Sequence, residues 1–164
     1  MSREASSSTN RDDVELGSLY RDTVLDHFRS PRGRKTLDRV DLTRLGHNPV
    51  CGDRLAMSIK MTGDKIEDVA VETKGCAISV ASASMMAELI PGMTKEQARY
   101  LAETFRAMMH GQPVPKDFDI GDLDALEGVK NLPVRVKCAL LGWMTLLDAL
   151  SGAKEASGVT VTED

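Results

Sequence analysis

The side chains in this sequence best suited to hold a metal ion are three thiols and one carboxylate: Cys51, Asp53, Cys76 and Cys138. Cys51 and Asp53 stand two residues apart in Asn48-Pro49-Val50-Cys51-Gly52-Asp53. Pro49 fixes its own φ and biases Asn48 toward extended backbone. Gly52 allows left-handed angles between the two functional side chains. Such a turn can aim both at one point, and three thiolates with one carboxylate complete the tetrahedral shell that zinc favours. The cysteines lie 25 and 62 residues apart, which is no zinc-finger pattern, so only the fold can unite them. The competing reading is bland: free cysteines are common in cores, and Gly-Asp is frequent turn chemistry.

The elements needed to unite them are legible. Leu55, Met57, Ile59 and Met61 alternate with polar or small residues, Thr62-Gly63-Asp64-Lys65 reads as a hairpin turn, and Val69, Val71 and Thr73 share one face of the next strand. Val40, Leu42 and Arg44 suggest a strand before the Cys51 turn. The result is a three-stranded antiparallel meander with one buried face. Cys51 precedes its central strand and Cys76 follows its third, so both fall at one end of the sheet. Cys76 also opens a helix of small residues running from Ala77 to Ile90. There the helix dipole favours a thiolate.

Further helices are expected from Ser18 to Arg29, with Leu19, Tyr20, Val24 and Phe28 as its apolar stripe and Leu16 as its extension, and from the capping box Thr94-Lys95-Glu96-Gln97 to Gly111. A short one is expected around Asp122 to Val129, and a buried one from Pro133 to Leu150 that brings Cys138 to the others. The fold class is therefore α+β, a small sheet against four to five helices. Residues 16–152 form one domain between flexible tails at 1–15 and 153–164.

Other polar residues are weaker candidates. His47 lies near the turn and can approach the site, whereas His27 and His110 sit at helix ends, where a surface role is expected. Arg135, three residues before Cys138, either supplies charge beside the thiolates or covers surface.

Composition narrows the function classes. A net charge of −4 argues against nucleic-acid binding, and no apolar run is long enough to span a membrane. No secretory signal precedes the domain, so a cytoplasmic protein with reduced thiols or metal-bound cysteines is expected. Three cysteines cannot all pair internally.

Asn48-Pro49-Val50-Cys51-Gly52-Asp53, Gly75-Cys76-Ala77-Ile78-Ser79 and Arg135-Val136-Lys137-Cys138-Ala139-Leu140-Leu141-Gly142-Trp143 resemble the motifs of SufU-type proteins, in the IscU/NifU-like superfamily of iron–sulfur cluster assembly. Leu19-Tyr20-Arg21-Asp22 and His27-Phe28 are also similar to that family, and the likeness covers roughly residues 18 to 151. It implies a SufE/NifU-like fold and zinc held by Cys51, Asp53, Cys76 and Cys138. It also implies acceptance of sulfur from a PLP-dependent, SufS-type cysteine desulfurase, with Cys51 reacting and Arg135 as an additional functional residue. A downstream iron–sulfur assembly scaffold would take the sulfur onward. IscU-type relatives carry histidine before the last cysteine, where this chain has Lys137, and their segment between Cys76 and Cys138 is shorter. Two alternatives stay open: a scaffold that binds a nascent iron–sulfur cluster at the same residues, and a zinc site that only holds the fold.

Overall fold

Strands form where the sequence alternates, and helices close over one of their faces. The computed structural model describes residues 20–151 and the backbone of 159–160. Strand β1 (Leu42–Asn48), β2 (Asp53–Thr62) and β3 (Lys65–Lys74) build the expected antiparallel meander. Leu55, Met57 and Ile59 of β2 and Ile66, Val69 and Val71 of β3 point into the core. The ladder slips between Lys60 and Met61.

Strand β1 begins and ends later than the sequence suggests. Its inward positions are Leu42, Arg44, Gly46 and Asn48, a polar series that carries no hydrophobic periodicity. Arg44 is buried, and its Nε donates to Asp148 Oδ2 at 2.9 Å. Gly46 lets the last helix touch the strand, because a Cβ there would sit 2.3 Å from Thr145 Oγ1. Thr145 cannot turn away cheaply, since its hydroxyl donates to the Leu141 carbonyl at 2.8 Å. Gly46→Ala is expected to destabilise the protein by about 1–3 kcal/mol through overpacking, read as a lower urea midpoint with an unchanged slope.

The helical layer consists of α1 (residues 20–29), α2 (Ala77–Leu89), α3 (Lys95–Met109), a 3₁₀ helix (Gly121–Asn131) and α4 (Pro133–Leu150). Helix α2 is buried on nearly all sides, as its small residues allow: Ser82 Oγ donates to the Ala139 carbonyl of α4 at 2.6 Å and accepts from Trp143 Nε1 at 3.1 Å. The capping box at Thr94 and Gln97 is formed in both directions. Leu123, Leu126 and Val129 are buried at three-residue spacing, which is the period of a 3₁₀ helix.

Helix α1 departs from its expected packing. Phe28 is 40% exposed, and the residue turned inward is His27, which is fully buried. Its Nδ1 meets Ser84 Oγ at 2.7 Å and its Nε2 meets Asp122 Oδ2 at 2.9 Å. A histidine packs there because both ring nitrogens find partners. Leu16, Ser18 and Leu19 lie outside the described residues.

Both edges of the sheet are modified. The outer edge of β3 is covered by the chain itself: Val71 N–H donates to the Gly33 carbonyl at 2.8 Å, and Ile66 exchanges backbone bonds with Met93 and Gly92 at 2.8 Å each. Beside β1 lies a two-residue parallel strand β4 (Val159–Thr160), in register with Gly46 and His47. The sheet order is thus β3-β2-β1-β4. Apart from this strand, the expected C-terminal tail at 153–164 lies outside the described residues. On the face away from α2 and α4, Leu45, His47, Arg54, Ala56, Glu72 and Lys74 border a shallow concavity of about 440 Å³.

Candidate metal centre

The centre starts at the tip of the β1–β2 hairpin. Asn48 and Asp53 are cross-strand partners, and both face inward. Between them the turn is closed by Gly52 N–H donating to the Asn48 carbonyl at 2.7 Å and Val50 N–H donating to Asn48 Oδ1 at 3.1 Å. Gly52 takes φ +79°, the left-handed angle its lack of a Cβ permits. Cys51 emerges half-buried from this turn, next to an exposed Val50.

Asp53 is 2% exposed, yet no basic side chain among the described residues forms an ion pair with it. Its Oδ1 accepts the backbone N–H of Cys76 at 3.2 Å, and its Oδ2 lies 3.9 Å from Cys76 Sγ. Cys76 is the N-cap of α2, with its thiol also 3.9 Å from Ser79 Oγ. Gly75 makes this approach possible: a Cβ there would sit 2.3 Å from Asp53 Oδ1 and 2.6 Å from its Cγ.

Cys138 comes from above, fully buried in the second turn of α4. Its sulfur lies 3.2 Å from Cys51 Sγ. Asn48 Nδ2 and Arg135 Nη1 each point at it from 3.8 Å. Burial pushes the Cys138 thiol well above its ordinary pKa, with hydrogen bonding to Cys51 and Asp53 adding to the shift. Burial thus disfavours the bare thiolate of Cys138, and a cation beside it would offset that cost. Arg135 is exposed apart from that contact; its hydrogen bond to Cys138, then the Cys76 charge, raises its own pKa.

The side chains fit a thiophilic cation. Ligand atoms of Cys51, Asp53 and Cys138 all lie within 4.8 Å of one another. Two sulfurs 2.3 Å from a tetrahedral zinc are separated by about 3.8 Å, so modest side-chain rotation would seat an ion. Cys76 stands outside that compact three and reaches it through Asp53. A buried carboxylate without a cationic partner is costly, and a metal at this point relieves it. The donor set would hold zinc as a redox-inert, charge-compensating ion.

Several sequence expectations sort out here. Cys51, Asp53, Cys76 and Cys138 are brought together at one end of the sheet, and Arg135 joins them. His47 points to the opposite face of β1 from Asn48, so it does not face the centre. Two residues escaped the sequence reading. Asn48 closes the turn and reaches Cys138, for which its type in a turn was the available signal. The need for glycine at position 75 is visible only in three dimensions, where the Asp53 carboxylate lies against it. A second group, His27 with Glu88 and Asp122, also gathers potential ligand atoms. Ser84, its anchor on α2, is about 12 Å along the helix from Cys76.

Comparison with known proteins agrees with this architecture. The NifU-like N terminal domain family matches residues 19–156. The zinc-dependent sulfurtransferase SufU of Bacillus subtilis is 40% identical over 145 residues, covering 88% of this chain and 97% of that protein. The iron–sulfur cluster assembly scaffold protein IscU of Streptococcus pyogenes is 39% identical over 146 residues, covering 89% and 91%. A crystal structure from Fervidobacterium islandicum, described as a candidate iron–sulfur cluster assembly scaffold protein for the SUF system, superposes with a TM-score of 0.74. It is 36% identical and covers 79% of this chain and 94% of that one.

Proposed function

The chain belongs to the NifU-like N terminal domain family, and we propose that within it this protein is a zinc-dependent sulfur acceptor. It takes persulfide sulfur from a cysteine desulfurase and passes it toward iron–sulfur cluster assembly in the cytoplasm. The observation that carries this reading is the donor set: the thiols of Cys51 and Cys138 and the buried Asp53 carboxylate gathered within 4.8 Å, with Cys76 beside Asp53, no histidine in the group and Lys137 in the position before Cys138. Zinc, when bound by Cys51, Asp53, Cys76 and Cys138, supplies a charge that keeps the sulfurs ionised and takes no electrons.

The chain's own residues divide the remaining work. Cys138 is held by a buried helix and by N–H donors from Asn48 and Arg135. Asp53 is held by the backbone of Cys76 and wedged against Gly75. Cys51 is the thiol a partner can reach, on a turn whose tip is exposed and hinged at Gly52. Its thiolate attacks the outer sulfur of the desulfurase persulfide. The sulfur–sulfur bond of that persulfide breaks, the desulfurase cysteine leaves as a thiolate, and Cys51 carries the transferred sulfur as a persulfide. No redox reagent is consumed. Arg135, exposed beside the sulfurs, stabilises the negative charge that moves between them.

Metal analysis of the purified protein together with a desulfurase assay tests the reading. The expected result is about one zinc per chain and a faster release of alanine from cysteine when the protein is added. A second reading is favoured by the IscU relative: a scaffold for a nascent cluster at the same side chains. Anaerobic reconstitution separates the two. A stable visible chromophore that transfers to an apo-protein, with activity indifferent to zinc, would replace the acceptor by the scaffold.

A further inference from the structure

The outer face of the sheet, opposite the helices, holds an arrangement that neither packing nor the metal centre uses. His47 of β1 pairs in register with Arg54 of β2, and Arg54 pairs in register with Lys74 of β3. Three nitrogen bases therefore stand side by side across the sheet, at cross-strand spacings of about 5 Å. Directly opposed like charges destabilise a sheet. Among the described residues none of the three forms an ion pair or a side-chain hydrogen bond, although Glu72 borders the same concavity. The chain as a whole is acidic, at −4, so this local excess of uncompensated base runs against its composition.

The row has a definite relation to the centre. Asn48 and Asp53, the pair that frames the Cys51 turn, are the next residues along β1 and β2. The row thus lies one residue, about 3.3 Å along the strands, from the end at which Cys51 emerges. Leu45 and Val50, 49% and 56% exposed, flank it on either side along the chain. A protein that brings a persulfide to Cys51 must cover part of this face.

We propose that the row His47–Arg54–Lys74 is the docking surface for an acidic segment of the sulfur-donor protein. The proposal rests on the sulfur-acceptor reading and adds the chemistry of the partner's contact: carboxylates that lie across the outer sheet face while Cys51 enters the donor's site. Charge complementarity argues for this occupant, because two basic side chains without ion-pair partners among the described residues attract and orient carboxylates. Exposed charges act over roughly 10 Å at moderate salt. Their main effect is therefore on the rate of encounter.

The test is association kinetics of the zinc-loaded full chain with the cysteine desulfurase, at low and moderate ionic strength. Arg54→Glu with Lys74→Glu is expected to slow association about tenfold at low salt and to flatten its salt dependence. The neutral pair Arg54→Gln with Lys74→Gln should fall between it and the unmodified protein. Zinc content and the reaction of Cys51 with a small thiol reagent should be unchanged in both, which separates docking from damage to the fold. Association and salt dependence equal to the unmodified protein overturn the surface while leaving the acceptor reading intact. Absence of any association or stimulation by the unmodified protein overturns both. Faster association after Glu163→Gln with Asp164→Asn would assign the row to the chain's own C-terminal carboxylates, and would likewise overturn the proposal.

Discussion

Cys51→Ala is expected to abolish stimulation of the cysteine desulfurase, returning alanine release to the rate of the desulfurase alone. The geometry makes this residue different from the other two thiols. Cys138 is fully buried and fixed by helix packing, and Cys76 is tied to its own helix N-terminus and to Asp53. Cys138 cannot meet a persulfide without disturbing the core, and Cys76, though half-buried like Cys51, is fixed where the β3 strand passes into α2 rather than on a free turn. Cys51 sits in a turn that can move around Gly52 at φ +79°, where nothing lies within 4 Å of a would-be Cβ. Because Asp53, Cys76 and Cys138 remain, the variant should keep part of its metal and its thermal midpoint should fall only slightly. Loss of activity with an intact fold is thus the specific signature. Full stimulation by Cys51→Ala, measured as alanine or sulfide release, would remove Cys51 from the transfer step.

Gly75→Ala is expected to weaken zinc binding by about 10–100-fold, the range seen when a group that orients a metal ligand is lost. The effect arises at Asp53. A methyl group at position 75 would overlap its Oδ1 and Cγ and meet Ser79 Oγ at 2.8 Å. The carboxylate would be driven away from the sulfurs and from the Cys76 N–H that orients it. Nothing in the strand or in α2 needs a glycine there for its backbone angles, since Gly75 is not among the positive-φ glycines. Competition with a chromogenic chelator reads the affinity directly. Circular dichroism in the presence of zinc should show an unchanged helix content. Wild-type affinity in Gly75→Ala would mean that Asp53 is not held in the binding geometry by this contact.

The parts of the molecule that were readable from sequence are those where one local rule decides. The alternation of β2 and β3, the capping box at Thr94 and the small-residue run of α2 each follow from side-chain type at fixed spacing. The convergence of Cys51, Asp53, Cys76 and Cys138 followed from the length of the central hairpin and the burial of α4. What stayed hidden depended on partners distant in sequence. The inner face of β1 is Arg44, Gly46 and Asn48, and each is explained by a residue of α4: Asp148, Thr145 and Cys138. His27 reads as a surface residue until Ser84 and Asp122 are placed beside it. The basic row across the sheet is invisible in one dimension, because its members are seven and twenty residues apart.

The covering of β3 has a consequence for how copies of this chain can aggregate. Growth of a fibre by strand addition needs two open edges per copy, one to give and one to receive. Here Gly33 pairs with Val71 and the segment at Gly92 and Met93 pairs with Ile66, which interrupts the edge of β3 at two points a neighbour would use. Gly33 keeps that position through φ +82° and a lack of Cβ, which would otherwise meet Ala87 at 2.5 Å. Among the described residues the β1 side is the more open, beyond two residues of β4. Two copies joined there would be related by a two-fold axis and would leave no edge for a third. Strand addition at the β3 edge is thereby opposed, and association of copies by strand pairing is directed to the β1 side.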